Sequence, residues 1–234
     1  MTVSATFPGP RIALIHALEE SVAPVRAAFR EAWPEAFAFD LLDTSLAIDR
    51  AHAGELDVAM RLRFATLADY AAGAEGLAGR TSGILFTCSA FGPAIDTVKT
   101  RVTIPVMRPN EAAFEQALAI GGEIGLIVSF EPSAASLRAE LEQMAHAQNR
   151  KTRVHTVLAD GALQALKAGD GARHDALVAE AARRLGDVQV VILAQFSMAR
   201  AADMVRHVIS APVLTTPDCA VHALRALLTP CPAV

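Results

Sequence analysis

The 31 residues "ILFTCSAFGPAIDTVKTRVTIPVMRPNEAAF" (84–114) align without a gap on "VILAQFSMARAADMVRHVISAPVLTTPDCAV" (191–221), 107 residues later. Ala94 falls on Ala201, Asp96 on Asp203, Val98 on Val205, Lys99 on Arg206, Pro105 on Pro212, Val106 on Val213 and Ala113 on Ala220. A second pair, "IALIHALEESVAPVRAAF" (12–29) and "IGLIVSFEPSAASLRAEL" (124–141), matches at an offset of 112, with Leu14 on Leu126, Glu19 on Glu131, Ser21 on Ser133 and Arg26 on Arg138. Self-similarity on this scale predicts a duplicated structural unit, because whatever the first copy builds the second must build again.

The unit itself is legible from hydrophobic periodicity. Short apolar runs read as strands at 11–17, 37–42, 83–88, 104–107, 124–130, 153–158, 188–195 and 211–216. Ala-rich amphipathic stretches between them read as helices at about 21–31, 55–78, 92–101, 110–120, 133–148, 172–185, 199–208 and 218–228. Strands alternating with helices point to βα units and parallel sheets. The expected fold class is therefore α/β, with two pseudo-symmetric, doubly wound, Rossmann-like halves. Residues 1–108 plus 215–234 form the first half and 109–214 the second. Strand carboxyl ends are the usual ligand position in such sheets, so the two halves are expected to share a cleft there.

Composition narrows the function classes. A formal net charge of -4 with mixed signs offers no basic stripe for nucleic acid and no polybasic segment for a lipid surface. No apolar run approaches the roughly 18 to 20 residues of a bilayer span, and the amino terminus does not read as a signal peptide, so a cytoplasmic location is expected. Three cysteines, Cys88, Cys219 and Cys231, without CxxC or Cys/His spacing, suggest neither a disulfide framework nor a zinc site. No metal site is expected. An Ala-rich, apolar helix surface is compatible with a homo-oligomer.

Cys88 is the residue the repeat makes most informative. It ends an apolar strand between Thr87 and Ser89, and its repeat partner is Gln195 in "LAQFS". A thiol at a strand-to-helix turn suits proton transfer, since a helix amino terminus can bring its pKa toward neutrality. Backbone N–H groups and the hydroxyls of Thr87, Ser89 and Ser197 are candidate hydrogen-bond donors to a bound ligand. His16 and Ser129 stand at or next to the ends of the matching first strands of the two halves, where ligand-facing residues belong. Asp96 and Asp203, each three residues before a basic residue, have the spacing of surface ion pairs, and Glu19 and Glu131 suit a first helical turn. His146, His155, His174 and His207 fall in polar patterns and read as solvated.

The segments "ILFTCSAFG", "VVILAQFSM" and "PVLTTPDCAVHAL" resemble the cofactor-independent aspartate/glutamate racemase superfamily, which includes hydantoin racemase, maleate isomerase and arylmalonate decarboxylase. The resemblance covers nearly the whole chain. It implies a small carboxylate substrate and a catalytic cysteine from each half, which would make Cys88 catalytic and His222 a binding residue. Gln195 departs from that pattern, because an amide cannot exchange a proton at neutral pH. One thiol leaves three chemistries open: protonating a carbanion after decarboxylation, attacking an activated double bond, or racemising with another second base. A carboxylate-binding relative without turnover is the remaining alternative.

Overall fold

The computed structural model describes residues 8–229. By internal contacts the chain divides into two compact units, Met1–Arg108 with Ala220–Val234, and Pro109–Cys219. Cys231 lies outside the described residues.

In chain order the first unit holds β1 (Arg11–His16), α1 (Val22–Ala32), β2 (Phe37–Leu42), α2 (Ser45–Ala53), α3 (Val58–Gly73), β3 (Glu75–Gly76), β4 (Gly79–Phe86), α4 (Gly92–Lys99) and β5 (Val106–Met107). The second holds α5 (Glu111–Ile120), β6 (Glu123–Val128), α6 (Ala134–Ala147), β7 (Arg153–Leu158), α7 (Ala162–Lys167), α8 (Gly171–Arg183), β8 (Val190–Leu193), α9 (Ala202–Arg206) and β9 (Val213–Thr215). The unit boundary then falls within α10 (Thr216–Leu228).

Each unit is a parallel sheet built on one plan. The orders are β2-β1-β4-β5, with the short β3 antiparallel on the start of β4, and β7-β6-β8-β9. β1 and β6 are buried on both faces from their second residue onward, as central strands of a sheet covered by helices must be. The repeat holds down to single hydrogen bonds. The Ile84 N–H donates to Pro105 O at 2.9 Å and the Val191 N–H to Pro212 O at 2.8 Å, while those of Thr87 and Ala194 reach Ile15 O and Ile127 O, both at 3.0 Å. Even the 3₁₀ turns that open the first helix of each half, Glu19–Ser21 and Glu131–Ser133, coincide at the offset of 112.

The core of the first unit gathers Ala13, Ile15, Phe64, Ile84, Phe86, Phe91, Ile95 and Val98, and that of the second Ile127, Val178, Val191, Leu193, Met198 and Val205. Two expected loops contain helices. α2 escapes a periodicity reading because Leu46 is its one buried residue and Ile48 points outward. α7 is only six residues long, entered through Gly161 at φ 74, where a left-handed backbone favours glycine. The helix expected over 55–78 ends at Gly73, because the chain turns there into the β3–β4 hairpin.

Candidate active site

The first site builds up from the end of β4. Phe86 closes the strand, Thr87 follows, Cys88 is extended, and a 3₁₀ turn at Ser89–Phe91 leads into α4 at Gly92, with Pro93 in its first turn. Proline is accommodated there because the first N–H groups of a helix have no partner within it. The turn is anchored by Phe91, fully buried and 4.6 Å between ring centroids from Phe64, which in turn stacks on Phe86 at 5.4 Å. Cys88 stands immediately before this anchored turn, at φ -114 and ψ 118, and keeps part of its surface accessible. A side chain at Gly92 would collide with the Arg108 guanidinium, which lies against that backbone and pairs with Asp96 at 3.4 Å.

The thiol environment differs from the sequence expectation. Dense protein packing around its sulfur pushes the Cys88 thiol up to about 11, and the hydrogen bond from the Ala90 N–H opposes that only in part. Burial wins over the turn's polarity, so Cys88 rests as a thiol, outnumbering its thiolate by more than about a thousandfold at neutral pH. Cys219 is no rival nucleophile. Burial first, then the neighbouring Asp218, push its thiol up to about 12, and its Sγ lies 3.4 Å from Gln116 Oε1.

Behind Cys88 lies a buried polar chain. His16 is fully buried, with Nδ1 2.8 Å from Thr87 Oγ1 and Nε2 3.0 Å from Asp40 Oδ1. Asp40 accepts from Arg26 through Nε at 2.7 Å and also through Nη2. Desolvation lowers the His16 pKa, the bond and charge of Asp40 raise it, and Arg26 lowers it again, with burial prevailing so that the net shift is downward. Both ring nitrogens are thus committed.

The matching place in the second half is organised differently. Gln195 Oε1 accepts the Ser129 N–H at 2.8 Å, with Ser129 Oγ at 3.4 Å, and its Nε2 donates to Ser133 Oγ at 3.0 Å. The amide therefore ties the end of β8 to the end of β6 and the following turn, a task that in the first half falls to His16 and Thr87. Asn110, buried, donates from Nδ2 to Ala194 O at 2.7 Å and supports the same strand end. Replacing Gln195 with Ala should cost about 1–3 kcal/mol by leaving the Ser129 N–H without its acceptor, while the Ser133 hydroxyl keeps its bond to Phe130 O. Calorimetry should record a lowered Tm; an unchanged transition would show that the brace carries no weight.

The candidate residues thus separate into two groups. Thr87, His16, Ser129 and Gln195 are engaged within their own half. Ser89, partly exposed, and Ser197, buried in the 3₁₀ turn Phe196–Ala201, have side chains with no hydrogen-bond partner among the described residues. His222 is exposed on α10. His174, expected in solvent, is fully buried, with Nδ1 2.8 Å from Asp175 Oδ1; its spacing to Val178, Ala181 and Ala182 follows one helix face. His155 pairs with Glu123 at 2.6 Å, and Asp203 with Arg206 at 2.8 Å. Arg26 enters the sequence reading only as the repeat partner of Arg138 and Asp40 not at all, although a carboxylate inside the strand "FAFDLL" needs a partner and so signals one.

The sequence model for Asp/Glu/Hydantoin racemase matches residues 17–224. The chain belongs to that family. Solved racemases share its fold at low identity. A glutamate racemase from Bacillus anthracis is 14% identical, with TM-score 0.72 over 94% of this chain and 81% of that one. An allantoin racemase from Pseudomonas fluorescens is 14% identical, with TM-score 0.67 over 93% and 90%. The aspartate racemase of Picrophilus torridus is 13% identical, with TM-score 0.69 over 94% of both chains. No curated protein matches significantly. Membership of the racemase family supports an isomerase-type activity. Among the described residues, no group of His, Cys, Asp and Glu is arranged to hold a metal ion, and no helix is long and apolar enough to cross a membrane.

Proposed function

We propose that this racemase-family chain is a cofactor-independent isomerase that transfers a proton at a carbon next to a carboxylate, with Cys88 as the acid/base group. The observation that carries this reading is Cys88 itself: a partly exposed residue at a strand-to-turn junction, its crowded sulfur accepting the Ala90 N–H, beside the uncommitted Ser89 hydroxyl. The thiolate form of Cys88 removes the substrate proton, the C–H electron pair staying on the carbon as a carbanion while an S–H bond forms; in the return step that S–H bond breaks toward the carbanion, and the sulfur keeps the electron pair as thiolate. The Ala90 N–H is already aimed at that sulfur and stabilises the charge as it forms. Ser89 donates to the substrate carboxylate.

One observation favours a second reading. Gln195 has no exchangeable acid at neutral pH and its amide is engaged with Ser129 and Ser133, so the position matching Cys88 supplies no proton. A thiol that rests protonated, without a matching partner, fits a decarboxylase that delivers one proton to the carbanion left by carbon dioxide. Both readings are tested by incubating the protein in D2O with amino acids, hydantoins, malonates and maleate. Deuterium in recovered substrate with loss of optical purity supports the isomerase. Deuterium in a product one carboxylate lighter supports the decarboxylase. Incorporation into neither overturns both and leaves a carboxylate-binding protein.

The ionisation state is testable without a substrate. Alkylation of Cys88 by iodoacetamide should be slow at pH 7 and rise with pH toward a midpoint of about 11, as mass spectrometry of the peptide would report. A rate already saturated by about pH 8 would show a thiolate at rest, and the proton-donor assignment would fall.

A further inference from the structure

The hydrogen-bond chain behind Cys88 has a direction. Asp40, paired with Arg26, offers only acceptor oxygens to the ring, so His16 Nε2 must carry the proton across the 3.0 Å contact. A neutral ring then has its lone pair on Nδ1, and the Thr87 hydroxyl, 2.8 Å away, must donate to it. The alternative proton position of Thr87 is toward Ile15 O, at 3.4 Å, and becomes necessary only if His16 is a cation with both nitrogens donating.

We infer that Arg26, Asp40 and His16 are positioning residues that commit the Thr87 hydroxyl proton inward, so that of the two hydroxyls flanking Cys88 only Ser89 donates to a bound carboxylate. Thr87 is buried to 3% exposure and its oxygen is left as an acceptor, whereas Ser89 is partly exposed and uncommitted. The second half lacks this chain: Val128 occupies the position of His16 and Ala194 that of Thr87, and Gln195 spans the strand ends instead. The first half therefore spends a histidine and a threonine on the task that Gln195 performs in the second, and the thiol is left free for chemistry. The chain is also a proton-sensitive device. Charging His16 would turn the Thr87 proton away from the ring, and the charged groups acting on it are Asp40 on β2 and Arg26 on α1.

The ring is read directly by 15N-labelled histidine NMR, with His16→Gln identifying the signal. The expected result is a neutral ring protonated on Nε2 at neutral pH, titrating below the ordinary histidine value. Asp40→Asn should move the titration of His16 to lower pH and Arg26→Gln should move it to higher pH, since Asp40 favours the cation and Arg26 opposes it. Opposite shifts from two partners are not produced by general loosening of the fold. The exposed Arg26 variant keeps the test available if Asp40→Asn fails to fold. An Nδ1–H ring, a cation at neutral pH, or an Arg26→Gln shift to lower pH would overturn the inference.

The role given to Ser89 rests on the proposed function and is read separately, as protection of Cys88 from iodoacetamide by malonate, maleate and glutamate. Ser89→Ala should weaken that protection by about tenfold or more, as loss of a hydrogen bond to a charged group does, and Thr87→Val should leave it within about twofold. The reverse ranking would overturn the assignment. Failure of every carboxylate to protect the native protein would count against the proposed function and the Ser89 donor together, while the ring signals still judge the chain.

Discussion

Replacing Cys88 with Ser should lower deuterium incorporation from D2O into the responsive substrate by about 10²- to 10⁴-fold, the usual contribution of a positioned acid or base. Serine keeps the size and can still accept the Ala90 N–H, so the fold and the turn at Ser89–Phe91 should survive with little change in Tm. What is lost is an ionisable group: a hydroxyl releases its proton far less readily than even a thiol raised to about 11. Cys88→Ala should do the same, and the pair distinguishes lost acidity from lost shape. Mass spectrometry of substrate and product checks both variants against the native protein. Exchange that persists in Cys88→Ser at the native rate would remove Cys88 from the chemistry and redirect attention to the ionisable groups of the second half, of which His174 is fully buried. The pH profile carries its own sign. A donor with a raised pKa is present in its active form throughout the neutral range and is lost only as pH climbs toward about 11, so activity resting on Cys88 should not fall between about pH 7 and about pH 9.

Much of the scaffold was legible because duplication makes one half a test of the other. The equivalence of Cys88 and Gln195 follows from a gapless alignment, and the matched bonds of Thr87 and Ala194 to the adjacent strands β1 and β6 realise it in space. What the sequence did not reveal is which polar groups spend their hydrogen bonds inside the fold. Thr87 and Ser89 look alike as flanking hydroxyls, yet one is held by His16 and the other has no partner among the described residues. The difference depends on Asp40, 47 residues before Thr87 in the chain, and no local pattern connects them. The thiol misled for a similar reason. A strand-to-helix junction suggests a lowered pKa, but the outcome depends on how many atoms crowd the sulfur, a tertiary quantity. His174 erred the opposite way: its polar neighbours in "ARHDAL" argued for solvent, while its spacing to Val178 and Ala181 already placed it on the buried face.

Phe91→Ala should produce the largest loss of stability among the substitutions near the site, about 3–5 kcal/mol, because Phe91 is fully buried and the cavity it leaves adjoins Phe64 and Phe86. For a unit of this size that corresponds to a fall in Tm of roughly 10 to 20 °C, readable by calorimetry or circular dichroism. The same variant reports on the thiol. Phe91 fixes the turn that packs the chain around Cys88, and its removal relieves the burial that raises the thiol pKa, so alkylation at neutral pH should become faster. Phe91→Leu, which refills most of the space, should lose less stability and leave the alkylation rate near the native value. A destabilised Phe91→Ala protein whose Cys88 reacts no faster would mean that the crowding comes from other neighbours and that the aromatic cluster serves stability alone. Together with Cys88→Ser, which should silence the chemistry while sparing Tm, the variant separates the two tasks of this junction. Those two results would assign to Phe91 how hidden the sulfur is, and to the sulfur the proton transfer proposed above.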